Sequence, residues 1–213
     1  MTEKKRTEKI LSLLDEHYPV DEKCYLNYEE PYQLLFSTIL SAQCTDDRVN
    51  AVTETLYKKY PTLESFAEAD LAELIEDVRS TGYFTAKAKN IIGSAQKILN
   101  EFGGAVPGDI ERLTSLPGVG RKTANVVRGH VFGAPSVVVD THVKRISNLL
   151  GFVDSDDPVK IEFELMKILP EDHWIRYNLQ VITHGRTICV ARRPKCGDCF
   201  LNGLCAAGGK PVS

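Results

Sequence analysis

Apolar residues recur at helical spacing along almost the whole chain, and that periodicity limits the fold before composition is considered. Ile10, Leu11, Leu13 and Leu14 give a first helix its apolar face, which the Tyr18-Pro19 pair ends. Pro31 then opens PYQLLFSTILSAQ, where proline suits a first helical turn and the dense apolar content predicts burial on most sides. Residues 46–60 read as a third helix, stopped by Pro61. Leu71, Leu74, Ile75 and Val78 have i, i+3, i+4, i+7 spacing for a fourth, which Gly82 ends. Residues 87–102 form a fifth, with Ile91, Ile92, Ala95 and Leu99 inward. Short helices are expected at 110–115 and 121–132, and longer ones at 140–150, 158–169 and 174–188. Only residues 136–139, a β-branched stretch, read as extended, and they are too few to imply a sheet. The expected fold class is all-α.

A chain of 213 residues has room for one large domain or two small ones. The opening residues MTEKKRTEKI are too polar for a secretory signal, and no run approaches the roughly 18 apolar residues of a membrane span. The expected location is therefore cytoplasmic, with no membrane partner. A net charge of −3 and a pI near 6.0 speak against a polyanionic partner, but the charge is unevenly placed. Residues 115–151 carry Arg121, Lys122, Arg128, Lys144 and Arg145 against Asp140 alone. Residues 184–213 carry Arg186, Arg192, Arg193, Lys195 and Lys210 against Asp198 alone. Two basic islands in an acidic body suit a local phosphate-binding face, although chance clustering of solvated charge gives the same pattern.

LPGVGRKTANVV, residues 116–127, is the most informative local stretch. Pro117 presets its φ, while Gly118 and Gly120 are expected to adopt backbone angles closed to other residues. The result is a tight hairpin between two helices, whose second helix presents unpaired N–H groups to a phosphate. Lys122 falls in the first turn of that helix, beside Arg121. The helix dipole and the neighbouring cation both disfavour its ammonium, which prepares an amine nucleophile; a solvated phosphate ligand is the plainer use. The partner is Asp140. A helix over 121–132 runs about 18 Å, and an extended return over 136–140 covers about 16 Å, so Asp140 is expected back toward Lys122. Asp140 also precedes Thr141-His142-Val143 and suits an N-cap, a role that keeps the carboxylate ionised with or without chemistry.

Four of the six cysteines fall in the last 25 residues, as Cys189, Cys196, Cys199 and Cys205. Their C-x6-C-x2-C-x5-C spacing can enclose one metal centre without help from distant chain, and ligand count alone leaves zinc and iron–sulfur both open. The residues ARRPK lie between the first two, so a centre here also fixes a loop bearing Arg192, Arg193 and Lys195. Cys24 and Cys44 lie far from this array and are assigned to core filling.

Taken together, LPGVGRKTA, VVVDTHVKR and the cysteine spacing resemble the endonuclease III family of helix-hairpin-helix, Gly/Pro–Asp DNA glycosylases, over essentially the whole chain. The resemblance implies a six-helix barrel domain over residues 22–135 and a discontinuous [4Fe–4S] cluster domain from 1–21 and 136–213. It implies a bifunctional glycosylase and abasic-site lyase that flips oxidised pyrimidines out of duplex DNA. Lys122 would be the nucleophile, Asp140 its electrostatic or base partner, and the four cysteines the cluster ligands. A monomer acting on damaged double-stranded DNA at a bacterial or archaeal nucleoid is implied. Gln43, in SAQCTD, matches the residue the family inserts where the lost base stood. Tyr83 stands where familiar members place a leucine wedge, a departure from the pattern. The DNA-contact set is then Gln43, Tyr83, Gly118, Gly120, Arg121, His142, Arg145, Arg192, Arg193 and Lys195. A mismatch glycosylase, which usually lacks the lysine, and a non-catalytic DNA-binding redox sensor are the competing readings.

Overall fold

The computed structural model describes residues 1–19 and 24–208. Lys210 of the second basic island and the expected domain boundary at residues 21 and 22 lie outside them. Among the described residues the regular elements are helical: α1 (Glu3–His17), α2 (Pro31–Leu40), α3 (Asp46–Lys59), α4 (Leu63–Ala67), α5 (Leu71–Asp77), α6 (Phe84–Phe102), α7 (Ile110–Thr114), α8 (Arg121–Phe132), α9 (Thr141–Leu150), α10 (Pro158–Ile168) and α11 (Trp174–Thr187). The all-α expectation holds, and no helix among them is long and apolar enough to cross a membrane. The chain divides into two compact units, Lys23–Ala134 and Met1–Glu22 with Pro135–Ser213.

The Lys23–Ala134 unit is organised around α2, which buries Gln33, Leu34, Leu35, Phe36, Ser37, Ile39 and Leu40. Pro31 fixes its first turn, and the Gln33 side chain accepts the backbone N–H groups of Glu29 and Glu30, at 2.7 and 3.1 Å. Leu56, Phe66, Leu74, Ile91, Ile98, Leu113 and Val127 close the core around it. Buried polar groups find partners: the Tyr57 hydroxyl donates to Gln33 O at 2.7 Å and meets Ser37 Oγ at 2.7 Å.

Two local differences separate this unit from the periodic reading. The short helix α4 has no long apolar stripe to announce it; a reciprocal cap between Thr62 and Ser65 starts it. Helix α6 begins at Phe84, three residues before the expected start, because Gly82 (φ +70°) and Tyr83 (φ +49°) turn the chain straight into it.

The other unit packs α1, α9, α10 and α11 around a second core containing Ile10, Leu14, Ile146, Leu150, Ile161, Leu165, Tyr177 and Val181. Tyr177 hydroxyl meets Ser147 Oγ at 2.9 Å inside it. Asp15 of α1 binds Gln180 and His173, at 2.8 and 3.2 Å. Arg6 donates to Leu150 O and Leu204 O, at 2.8 and 2.9 Å, so α1 ties the end of α9 to the cysteine segment.

Candidate nucleic-acid interface and cysteine centre

The hairpin joins α7 to α8 through residues 115–120. Leu116 and Val119 are buried and anchor it from below. Leu116 N–H donates to Leu113 O and Val119 N–H to Leu116 O, while Ser94 Oγ and Lys97 Nζ hold Pro117 O and Ser115 O from α6. Gly118 has φ +74°, and a Cβ there would collide with the Asn90 side chain, 2.8 Å from its Cβ and Cγ and nearer still to Nδ2. Position 118 therefore needs glycine twice over, for angle and for space.

Gly120 differs from its expectation. It is the N-cap of α8 in ordinary extended backbone, φ −87° and ψ 174°, with nothing within 4 Å of a built Cβ. Its lack of a side chain has another effect: no N-cap side chain bonds the first turn of α8, so the positive end of the helix dipole is left without that cap. Lys122 stands at the second position of that turn, exposed, with no ion pair or hydrogen bond to its ammonium among the described residues. Arg121 is half-buried beside it.

Two further loops of the same unit carry the other expected contacts. Gln43 (φ +55°) and Tyr83 (φ +49°) are the two non-glycine residues with positive φ among the described residues. Both are exposed, Tyr83 at 67%. Left-handed backbone costs an L-residue about 1–2 kcal/mol, so each tip is held there by its surroundings. Cys24 and Cys44 are half-buried and pack against the core nearby in sequence, as assigned.

In the other unit Asp140 is the N-cap of α9, its Oδ1 accepting His142 N–H at 2.9 Å and Val143 N–H at 2.8 Å. Oδ2 makes no hydrogen bond among the described residues and is the oxygen left for other work. The His142 ring packs on Gly185 of α11, where any Cβ would collide with Nδ1. Arg145 turns to the cysteine segment, donating to Cys189 O at 2.6 Å and Cys189 Sγ at 3.4 Å. Arg192, Arg193 and Lys195 are exposed on the loop between the first two cysteines.

Cys189, Cys196, Cys199 and Cys205 line one cavity of about 40 Å³, walled by Ile146, Leu149, Leu150 and Leu201. Short backbone links shape the segment: Cys189 N–H to His184 O, Lys195 N–H to Ile188 O, and 3-10 turns at Cys196–Asp198 and Asn202–Leu204. Burial first, and then the other thiols, push Cys199 and Cys205 above the ordinary thiol range. Two thiols held neutral in this way, with Cys189 and Cys196 beside them, form a donor set completed by a cationic centre, which reverses that balance. The donor set fits a multi-iron cluster with thiolates at its corners. Buried His184 adds a neutral ring, pushed down to about 4 by burial, Arg145 and His17, between Tyr18 Oη at 3.1 Å and Cys199 Sγ at 3.7 Å.

Residues 36–171 match the HhH-GPD superfamily base excision DNA repair proteins, and residues 189–205 match the iron–sulfur binding domain of endonuclease III. The chain is 50% identical over 205 residues to endonuclease III of Synechocystis sp., covering 96% of this chain and 93% of that one. It is 42% identical over 207 residues to endonuclease III of Bacillus subtilis, covering 97% and 94%. A solved trapped endonuclease III–DNA covalent intermediate, an estranged-adenine complex, matches with a TM-score of 0.87 and 42% identity over 98% of both chains.

Proposed function

The chain belongs to the endonuclease III family of helix-hairpin-helix base-excision repair proteins, and from that membership we propose that Lys122 is the nucleophile of its reaction. The protein is a DNA glycosylase and abasic-site lyase that removes oxidised pyrimidines. The observation that carries the assignment of Lys122 is its ammonium, exposed and without a partner among the described residues, in the first turn of a helix that has no side-chain N-cap bond. Once deprotonated, Lys122 Nζ attacks the anomeric carbon of the damaged nucleotide. The glycosidic bond breaks, and the base leaves with its electron pair and takes up a proton. Sugar-ring opening gives the Schiff base; loss of a 2′ proton expels the 3′ phosphate, and hydrolysis returns the amine. A covalent enzyme–DNA species is also what the matched solved structure is described as holding.

Asp140 supplies the carboxylate. With Oδ1 committed to capping α9, Oδ2 serves as the base or the electrostatic partner of the developing cation. Residues 22–135 act as the barrel domain, and their hairpin takes a phosphate of damaged duplex DNA at the N-terminal end of α8. Gln43 and Tyr83 probe the stack, and Arg192, Arg193 and Lys195 add phosphate contacts. Cys189, Cys196, Cys199 and Cys205 hold the [4Fe–4S] cluster, which gives the segment a rigid cross-link. A monomer acting at the nucleoid is sufficient for this chemistry.

Borohydride trapping on a duplex with one thymine glycol tests the assignment. Wild-type protein is expected to form a covalent complex and Lys122→Gln none, with DNA binding retained; undiminished trapping by the variant would refute the nucleophile. Asp140→Asn keeps an oxygen acceptor for the two α9 N–H groups while removing the charge. It should therefore fold normally and lose about 100-fold in strand cleavage. Cleavage within two-fold of wild type would remove Asp140 from the chemistry.

A further inference from the structure

Lys87 is a lysine in a position where the periodicity of α6 calls for an apolar side chain. It shares the buried stripe of Ala88, Ile91, Ala95 and Ile98, and is itself 4% exposed. Nζ donates to Leu40 O and to Thr81 O, both at 2.7 Å. Its backbone N–H donates to Tyr83 O at 3.1 Å. Burial pushes the amine below its ordinary value, with Cys44 opposing that shift. A buried ammonium is costly to hold, and an apolar side chain of the same length would fill the space. The charge is met by the carbonyl groups of two separate segments, which an apolar side chain could not join.

Those segments are the bases of the two strained tips. Leu40 is the last residue of α2, where carbonyls lack helical partners and the dipole is negative, and Gln43 follows three residues later. Ser41 N–H to Ser37 O and Cys44 N–H to Ser41 O close the turn that carries Gln43. Thr81 ends the 3-10 turn at Arg79–Thr81, buried and bonded through Oγ1 to Val78 O at 2.8 Å, and Tyr83 follows two residues later. One side chain thus grips the chain just before each of the two left-handed residues.

We infer that Lys87 is a positioning residue whose ammonium braces the Gln43 and Tyr83 tips at a fixed spacing, so that both enter the duplex in register. The inference rests on the proposed role of those tips as DNA probes. Lys87 does not touch DNA; it acts through the two loops. Its effect is therefore confined to substrates that have an opposite strand and a base stack to probe.

The test compares strand cleavage at an abasic site in duplex and in single-stranded DNA, using cluster-loaded protein. The readout is the duplex-to-single-strand rate ratio. Lys87→Met is expected to lower that ratio about 10-fold, since a displacement near 1 Å at a positioning group costs up to about 100-fold. Lys87→Gln, a milder change able to reach one carbonyl, should give an intermediate loss and keeps the test alive if the methionine variant does not fold. The doubly substituted Gln43→Ala, Tyr83→Ala protein should lose the ratio as well. Adding Lys87→Met to it should lower the ratio no further, because the brace has nothing left to position. An unchanged ratio in the foldable Lys87 variant overturns the brace, as does a further 10-fold loss in the triple variant. A wild-type ratio in the double variant instead overturns the reading of the tips, and the brace with it.

Discussion

The hairpin at residues 115–120, which leads into Arg121 and Lys122 of α8, and the cysteine segment at 189–208, which bears Arg192, Arg193 and Lys195, are held by different means. The hairpin is closed by amino-acid chemistry alone: buried Leu116 and Val119 below, backbone bonds within, and Ser94 and Lys97 clasping its carbonyls. The cysteine segment buries only Leu201 among its described residues, and relies on 3-10 turns, on Arg145 and on Arg6. A loop with so little core cannot hold one shape by burial. The difference teaches where each region stores its order. In the hairpin it is in the sequence; in the cysteine segment it is in a centre that the sequence only ligates.

The largest expected effect follows from removing that centre. Stripping iron, or replacing Cys199 with Ser, should make trypsin cut the loop after Arg192 and Lys195 about 100-fold faster, equivalent to about 2.7 kcal/mol of local stability. Brown absorbance should vanish in parallel. Mass spectrometry of the fragments locates the cuts. Equal cutting rates with and without iron would mean that the segment is ordered by the protein alone, and the contrast with the hairpin would fail.

The hairpin breaks differently. Gly118→Ala forces an L-residue into φ +74° and drives its Cβ into Asn90. The expected loss is about 2 kcal/mol, summing about 1 for a left-handed residue and about 1 for an overpacked contact. A urea midpoint gives the value, and Asn90→Ala in the same chain, which removes the Nδ2 and Cγ contacts and keeps the Cβ one, should recover part of the overpacking share. Iron content should stay unchanged in both. No recovery would place the cost in the backbone angle and the remaining Cβ contact.

Much of this was legible beforehand because the signals are local. Proline at 31, the N-cap at Asp140 and the apolar stripes set the helices within a few residues, and four closely spaced cysteines declare a centre by themselves. Four features were not legible, each for a physical reason. Helix α4 is too short for periodicity, and only its Thr62–Ser65 cap marks it. Gly120 was assigned a restricted angle because both glycines of the hairpin read alike, whereas only Gly118 lies at positive φ. Lys87 reads as an ordinary helical lysine; its partner Leu40 lies 47 residues away, and only its place on a buried stripe hints at burial. Arg145 belongs to the first basic island and, with His142, to the contact set that the resemblance implies; the tertiary contacts that join them to Cys189 and Gly185 leave no mark in the local sequence.

The smallest expected effect sharpens the comparison most, because it separates the two glycines of one loop. Gly120→Ala meets open space at an ordinary backbone angle, so stability should move by no more than about 0.5 kcal/mol. Gly120→Asp should be stabilising. A carboxylate at the N-cap accepts a first-turn N–H and faces the positive end of α8, together worth about 0.5–1 kcal/mol. It also occupies the N–H groups proposed for phosphate and repels the anion that would replace it. DNA affinity, read by fluorescence anisotropy at fixed salt, should fall about 10-fold while the urea midpoint rises. That opposition of signs is what a helix end left uncapped for a ligand predicts. If affinity and stability rose together, the open N-terminus would be a local imperfection of the helix, and the phosphate would have to bind elsewhere on the hairpin.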